Sequence, residues 1–215
     1  IGKERVYRPG LQVGQLRKRM IIAVVLSAGE SSRMGRPKAL LPIEGQRFIE
    51  RIIRVVGQSR VDRTIVVLGH HADQLRGQIE HLPVEVVLNP DYQKGQLSSL
   101  QAAIRHIEHD DRCDAILVHL VDHPFIDAAL VNTLIESFLE TKKLIVVPRY
   151  KGKRGHPVIF SRELFKELLN APVDQGAKAV VNAHRPETLE IECQDEGITL
   201  DIDTPELYRK HVRGE

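Results

Sequence analysis

Short aliphatic runs alternate along this chain with stretches of helical period. Ile21 to Leu26 is an unbroken apolar run, the pattern of a strand buried on both faces. Phe48 to Val56 instead places apolar residues at Phe48, Ile49, Ile52, Ile53, Val55 and Val56, the broad stripe of a helix lying on a sheet. Thr64 to Leu68 predicts a second buried strand ended by Gly69, His71 to Leu82 a helix, and Val84 to Leu88 a third strand. Asn89-Pro90-Asp91 follows as a turn. A helix from about Ser98 to Glu108 leads to a strand over Ala115 to Val121. Further helices are expected near Ala128–Leu139, Arg162–Leu169, Ala177–Ala183 and Pro205–Val212, with strands near Leu144–Pro148, Pro157–Phe160 and Leu189–Glu192. Alternating β and α units of this kind predict a three-layer α/β/α fold whose mixed sheet is mostly parallel. Ligands of such sheets bind beyond the carboxyl ends of the strands, near a reversal of strand order.

Composition narrows the function classes. A chain of 215 residues suits one domain with a core of its own. Lys+Arg number 31 against 29 Asp+Glu, so no charged surface for nucleic acid or membrane is implied. Aromatics at 4% and the absence of Trp argue further against base stacking on single strands. No apolar run reaches membrane length. Cys113 and Cys193 lie far apart with no CxxC spacing, which fits reduced thiols in a cytoplasmic protein. Residues 1–19 carry Arg5, Arg8, Arg17, Lys18 and Arg19 without an apolar signal core. They are expected to be an upstream extension or cloning remnant, with a basic interaction arm as the alternative, and residues 20–215 the domain itself.

The chemistry concentrates in Leu26-Ser27-Ala28-Gly29-Glu30-Ser31-Ser32-Arg33-Met34-Gly35-Arg36-Pro37-Lys38. A buried strand that empties into a Gly/Ser-rich turn leaves several N–H groups facing one way, a seat for phosphate oxygens. Arg33 and Lys38 add two cations, and Pro37 stiffens the approach to the lysine. Gly-Lys is not followed by Ser or Thr, so this is not a Walker A loop. Asp122 follows the strand ending at Val121 and is held by a short segment to Pro124. Asp203 belongs to an acidic trio with Asp201 and Glu206. Two carboxylates from different strand ends can share one Mg²⁺, the remaining positions being filled by water and substrate phosphates. Asp203-Thr204-Pro205 also reads as a helix start with Pro at N1, which leaves Asp203 free if Thr204 is the N-cap. Ser98 or Ser99 is a natural N-cap for the helix that follows Gly95, as Asp174 is for the helix near Ala177. His156, beside a proline, has an ordinary structural or solvent-facing alternative. The remaining histidines show no zinc-ligand spacing and are expected mostly at the surface. No nucleophile elbow or Ser/His/Asp arrangement is present.

The loop resembles the L-A-A-G-x-S-x-R-M-G-x-P-K signature of the molybdenum cofactor nucleotidyltransferases, the MobA/MocA-like family, with Ser27 in place of the usual alanine. Asp122-His123-Pro124, Gly155-His156-Pro157, Asp174-Gln175-Gly176-Ala177 and Asp201-Ile202-Asp203-Thr204-Pro205 resemble its later motifs in order, so the likeness runs from Met20 to about Val212. The resemblance implies a Rossmann-like fold. It places the nucleotide against Leu26, Ser27, Ala28, Gly29, Gly35, Gly95, Ser98 and Ser99, and the catalytic cations at Arg33 and Lys38. It puts the metal, Mg²⁺ with Mn²⁺ as a substitute, on Asp122 and Asp203. It lays the acceptor phosphate near Gly155, His156, Asp174 and Gly176. Ala28 and the Ser98-Ser99 pair resemble the cytidylyl branch more than the guanylyl branch.

The expected reaction is transfer of CMP from CTP to the phosphate of molybdopterin or its molybdenum-loaded form, with pyrophosphate released; GTP is the less favoured donor. A molybdoenzyme or its maturation factor is the expected downstream partner. Two alternatives stand beside it. One is a cytidylyl- or sugar-nucleotidyltransferase with another phosphorylated acceptor. The other is a non-catalytic pterin- or nucleotide-binding delivery partner, which has no need of both aspartates.

Overall fold

The computed structural model describes residues 19–215, so the expected basic extension, all but Arg19, lies outside the described residues. One eight-stranded sheet organises them, in the order β10-β7-β9-β6-β1-β4-β5, with a short β8 paired to β7. The strands are β1 (Met20–Ser27), β4 (Arg63–Leu68), β5 (Glu85–Leu88), β6 (Cys113–Leu120), β7 (Ile145–Tyr150), β8 (Lys153–Arg154), β9 (Val158–Ser161) and β10 (Thr188–Glu192). A separate two-stranded ribbon, β2 (Pro42–Ile43) with β3 (Gln46–Arg47), lies outside the sheet. The β1–β4, β1–β6, β4–β5 and β7–β10 pairings are parallel, whereas β9 runs antiparallel to both β6 and β7. The expected mixed, mostly parallel sheet is therefore present.

Alternation within the buried strands builds the two outer layers. Ile21, Ala23 and Val25 face one side, where α1 (Phe48–Gly57), α2 (Ala72–Ile79) and α4 (Ala128–Glu140) pack. Ile22, Val24 and Leu26 face the other, against α3 (Gln96–Ile107), α5 (Phe165–Asn170) and α6 (Lys178–Ala183). The central strand β1 thus buries both faces, which is why its sequence reads as continuous rather than alternating. The chain leaves β1 for β4 and β5, then returns to β6 on the opposite flank. The order of strands reverses at β1, and the crevice beyond the carboxyl ends of β1 and β6 opens there.

A third, smaller cluster sits at that end of the sheet. Met34, Leu41, Ile43 and Phe48 pack with Ile202 and Tyr208, tying the loop after β1 to the C-terminal segment. The Tyr208 hydroxyl donates to the Pro42 carbonyl at 2.6 Å. The last helix expected over Pro205–Val212 is α-helical only over Pro205–Tyr208 (α7) and continues as a π-turn through Arg209–Arg213. The stretch from Arg162 likewise opens as a 3₁₀ turn before α5.

Candidate active site

The loop after β1 is shaped by two left-handed residues. Ser31 (φ 56°) and Gly35 (φ 71°) bracket a 3₁₀ turn over Ser32–Met34, and the buried Met34 anchors it. A serine in that region costs on the order of 1–3 kcal/mol, which the surroundings must hold in place. Its Oγ accepts the N–H of Lys38 at 3.1 Å, closing the loop around the lysine. Among the described residues, the N–H groups of Gly29, Glu30 and Ser31 donate to no protein acceptor.

Backbone pairing brings the two aspartates together. The Val121 N–H donates to the Leu26 carbonyl at 3.1 Å, joining the ends of β6 and β1. The N–H of the fully buried Ile202 donates to the Asp122 carbonyl at 2.8 Å, which seats the C-terminal segment beside Asp122. Thr204 caps α7 by accepting the Leu207 N–H at 3.3 Å, with Pro205 in the first turn. Asp203 is released from capping, as expected, and turns to the loop.

There the ammonium of Lys38 lies 2.8 Å from Asp122 Oδ2 and 2.5 Å from Asp203 Oδ1. Arg33 donates to Asp203 Oδ2. Burial alone pulls the Lys38 ammonium down, but the carboxylates of Asp122 and Asp203 outweigh it and hold the group above its ordinary value. For Asp203 burial is the largest single influence and pushes up. The hydrogen bond and charge of Lys38, the charge of Arg33 and a contact with Asp201 together outweigh it, so its carboxyl lies below the usual range. The fourth carboxylate oxygen, Asp122 Oδ1, is buried without a hydrogen-bond partner, with His123 Nε2 3.9 Å away. Two hard oxygen donors with one such orphan fit a divalent cation of the Mg²⁺ type. Among the described residues no group of three or more His, Cys, Asp or Glu side chains is placed to hold a metal unaided. The donor set therefore fits an ion that completes its shell from water and substrate.

Two cavities adjoin each other here, and the smaller reaches the cluster at Lys38 and Asp122. The smaller, about 210 Å³, is lined by Leu26, Ser27, Ala28, Gly29, Gly95, Ser99, Lys38 and Asp122. The larger, about 810 Å³, is lined by Gly155, His156 and Gly176, and shares Leu26, Gln96 and Leu120 with the first. Five expected positions line neither cavity: Arg33 and Asp203 belong to the ion-paired cluster, and three lie elsewhere. Gly35 ends the 3₁₀ turn away from either cavity. Ser98 is buried behind the first, where its Oγ donates to the carbonyls of Gly95 and Asp91 and accepts from Asn89 Nδ2. Asp174 is exposed outside the second cavity. Neither serine caps α3, because the helix begins earlier, at Gln96, with Gly95 (φ 104°) as its N-cap. Asp174 does not cap α6 either; Ala177 occupies that place.

Several lining residues carried no motif. His71 and Tyr92 border the smaller cavity. The larger has an apolar floor that includes Val118, Val147 and Phe160, and a rim with Arg149, Arg154, Lys178 and Arg185. Glu190 accepts from Arg149 at 3.0 Å and from Arg154 at 2.6 Å. The position of Arg149 near the carboxyl end of the apolar strand β7 is the signal from which it was readable.

His119 and His123 correct the expectation of surface histidines. Both are buried, and with His156 they form a cluster whose ring centroids lie 5.1–6.4 Å apart. His119 Nε2 donates to the His123 carbonyl at 2.9 Å, while the Nδ1 atoms of all three rings have no protein partner. Burial holds all three neutral: His119 lies well below its ordinary value and His156 is pushed down to about 4. A histidine inside the otherwise apolar strand Ala115 to Leu120 was the available clue.

A family model described as a MobA-like NTP transferase domain matches residues 23–188. The chain is similar to the purine catabolism protein PucB of Bacillus subtilis, at 28% identity over 90% of this chain and 96% of that protein. It is 29% identical to the nicotine blue oxidoreductase of Paenarthrobacter nicotinovorans (88% and 95% covered). It is 27% identical to the molybdenum cofactor cytidylyltransferase of Escherichia coli (87% and 93% covered). Among solved structures it superposes with a TM-score of 0.77 on Rv0371c of Mycobacterium tuberculosis in complex with manganese, at 29% identity over 91% of this chain and 100% of that one.

Proposed function

Since the chain belongs to the MobA-like NTP transferase family, we propose that it is a Mg²⁺-dependent cytidylyltransferase that joins CMP from CTP to the phosphate of molybdopterin or its molybdenum-loaded form. One observation carries this: Lys38 and Asp122, with Asp203 paired to the lysine, border a small cavity for a nucleotide, and that cavity adjoins a larger one for an acceptor. The N–H groups of the loop after β1 take the triphosphate, with Arg33 and Lys38 neutralising its charge. Asp122 and Asp203 hold the cation, which when bound shields the phosphate oxygens; the manganese complex of the mycobacterial neighbour supports a divalent ion here.

A phosphate monoester is already an oxyanion and needs no protein base. Its oxygen attacks the α-phosphorus, the bond from that phosphorus to the β-phosphate oxygen breaks, and pyrophosphate leaves. Alignment and charge neutralisation supply the catalysis. The apolar floor and cationic rim of the larger cavity suit a flat, anionic, hydrogen-bonding ring system such as a pterin. Ala28 and Ser99, the positions that resemble the cytidylyl branch, border the smaller cavity. The Escherichia coli relative supports this acceptor, while two relatives of near-equal identity bear names from other chemistry. The dinucleotide product would pass to a molybdoenzyme or its maturation factor.

Pyrophosphate release, measured with CTP, GTP, UTP and ATP against molybdopterin, its molybdenum-loaded form and a set of sugar phosphates, tests the proposal. Turnover is expected with CTP and a pterin acceptor. Binding of CTP without turnover on any acceptor would overturn it in favour of a delivery protein.

A further inference from the structure

We infer that Lys38 holds the place of the cation between Asp122 and Asp203 until nucleotide arrives, so that metal and nucleotide bind as a coupled pair; this rests on the metal site proposed above. Three of the four carboxylate oxygens are held by cationic side chains: Asp122 Oδ2 and Asp203 Oδ1 by Lys38, and Asp203 Oδ2 by Arg33. Only Asp122 Oδ1 has no hydrogen-bond partner, the neutral ring of His123 lying with Nε2 3.9 Å from it. A divalent ion that uses both carboxylates must compete with the lysine for the same oxygens, because an ammonium and a cation cannot share that space.

Charge points the same way. Arg33 and Lys38 balance Asp122 and Asp203, and the neighbouring Asp201 adds one further carboxylate. A divalent ion added alone still leaves positive charge uncompensated in a half-buried site, an unfavourable arrangement. A triphosphate supplies the missing negative charge and gives the displaced ammonium a new partner. Each ligand therefore strengthens the other, and by linkage the factor is the same in both directions. A lysine suits the exchange: its ammonium is a compact point charge on a flexible stem, without the planar fork that fixes an arginine. That stem is anchored at its backbone by the Ser31 Oγ contact, so the head can move while the loop stays in place.

The test is Mn²⁺ binding to the full chain, followed by the paramagnetic resonance signal of free Mn²⁺ and by calorimetry. It is run with and without a non-hydrolysable CTP analogue. In the unaltered protein the analogue is expected to tighten Mn²⁺ roughly 5–150-fold, the usual span of coupling between sites. Lys38→Met should tighten Mn²⁺ alone by about tenfold or more and shrink the enhancement by the analogue. Lys38→Arg, which keeps a less easily displaced cation against the carboxylates, should bind Mn²⁺ alone no more tightly than the unaltered protein, and Lys38→Gln provides a second neutral variant if methionine disturbs folding. Asp203→Asn should abolish tight binding throughout, which locates the ion. Equal Mn²⁺ affinity in the unaltered protein and both neutral variants, lost in Asp203→Asn, would overturn the displacement and leave the metal site standing. Absence of Mn²⁺ binding under every condition, or binding that survives Asp203→Asn, would overturn both.

Discussion

At Lys38 one ammonium is held by two carboxylates and lies against the cavity that borders Ser27, Ala28 and Gly29. Removing it takes away a preorganised charge but no core volume, since the side chain lies in the crevice rather than in a packed layer. Lys38→Ala is expected to lower kcat by roughly 10²-fold or more, on the scale of losing one preorganised electrostatic group. The variant should remain folded by circular dichroism. A folded variant with near-normal kcat would reduce Lys38 to a structural partner of the aspartates. Lys38, Asp122 and Asp203 were legible in the sequence because each sits in a short turn beside proline, glycine or a strand end, where chemistry is local. Ser98 was not, because its fate depends on Asn89 and Asp91, which the turn before α3 folds back onto it.

Among the elements, the approach to β9 is the most tightly constrained. Gly155 lies where an added Cβ would clash with the Ile198 carbonyl oxygen, and the His156 N–H donates to that same oxygen at 2.9 Å. Gly155→Ala should therefore destabilise the fold by about 1–3 kcal/mol, read as a lower urea midpoint. An unchanged midpoint would mean that the segment around Ile198 yields freely. Strand β9 was legible as a strand, but its antiparallel direction was not, because an apolar run carries no mark of its neighbours' orientation. The β2–β3 ribbon, two residues on each side, is too short for a periodic signal.

Strand β6 and the segments beside it also carry the buried imidazoles. His119, His123 and His156 are held neutral below their ordinary values, largely by burial, whereas the unfolded chain takes up protons near pH 6.5. Their contribution to stability is present above that value and is lost as pH falls toward about 4, where His156 itself titrates. Each proton contributes a slope of at most about 1.4 kcal/mol per pH unit. Denaturant unfolding between pH 8 and 5 should show stability falling from about pH 6.5 downward, with a shallower fall in His156→Asn. The depressed carboxyl of Asp203 acts only at still lower pH. A flat profile across the window would contradict the burial of these rings.

For the molecule as a whole, topology makes the candidate site. Asp122 follows β6, Asp203 follows a C-terminal segment that belongs to no strand of the sheet, and the Ile202 to Asp122 backbone bond joins them. The sequence motifs named both residues, yet nothing in their spacing indicated the small apolar cluster of Met34, Ile202 and Tyr208 that holds loop and tail together. If the two carboxylates serve one cation, they should behave as a unit. The decisive measurement is turnover against Mg²⁺ concentration for Asp122→Asn, Asp203→Asn and the double variant. Asn keeps the turn geometry, and the cap belongs to Thr204, so each change removes charge without removing a helix start. Each single variant is expected to lose most metal-supported activity, and the double variant to lose little more. Full activity in Asp203→Asn with an unchanged Mg²⁺ requirement, or losses that simply multiply in the double variant, would contradict a single shared metal site.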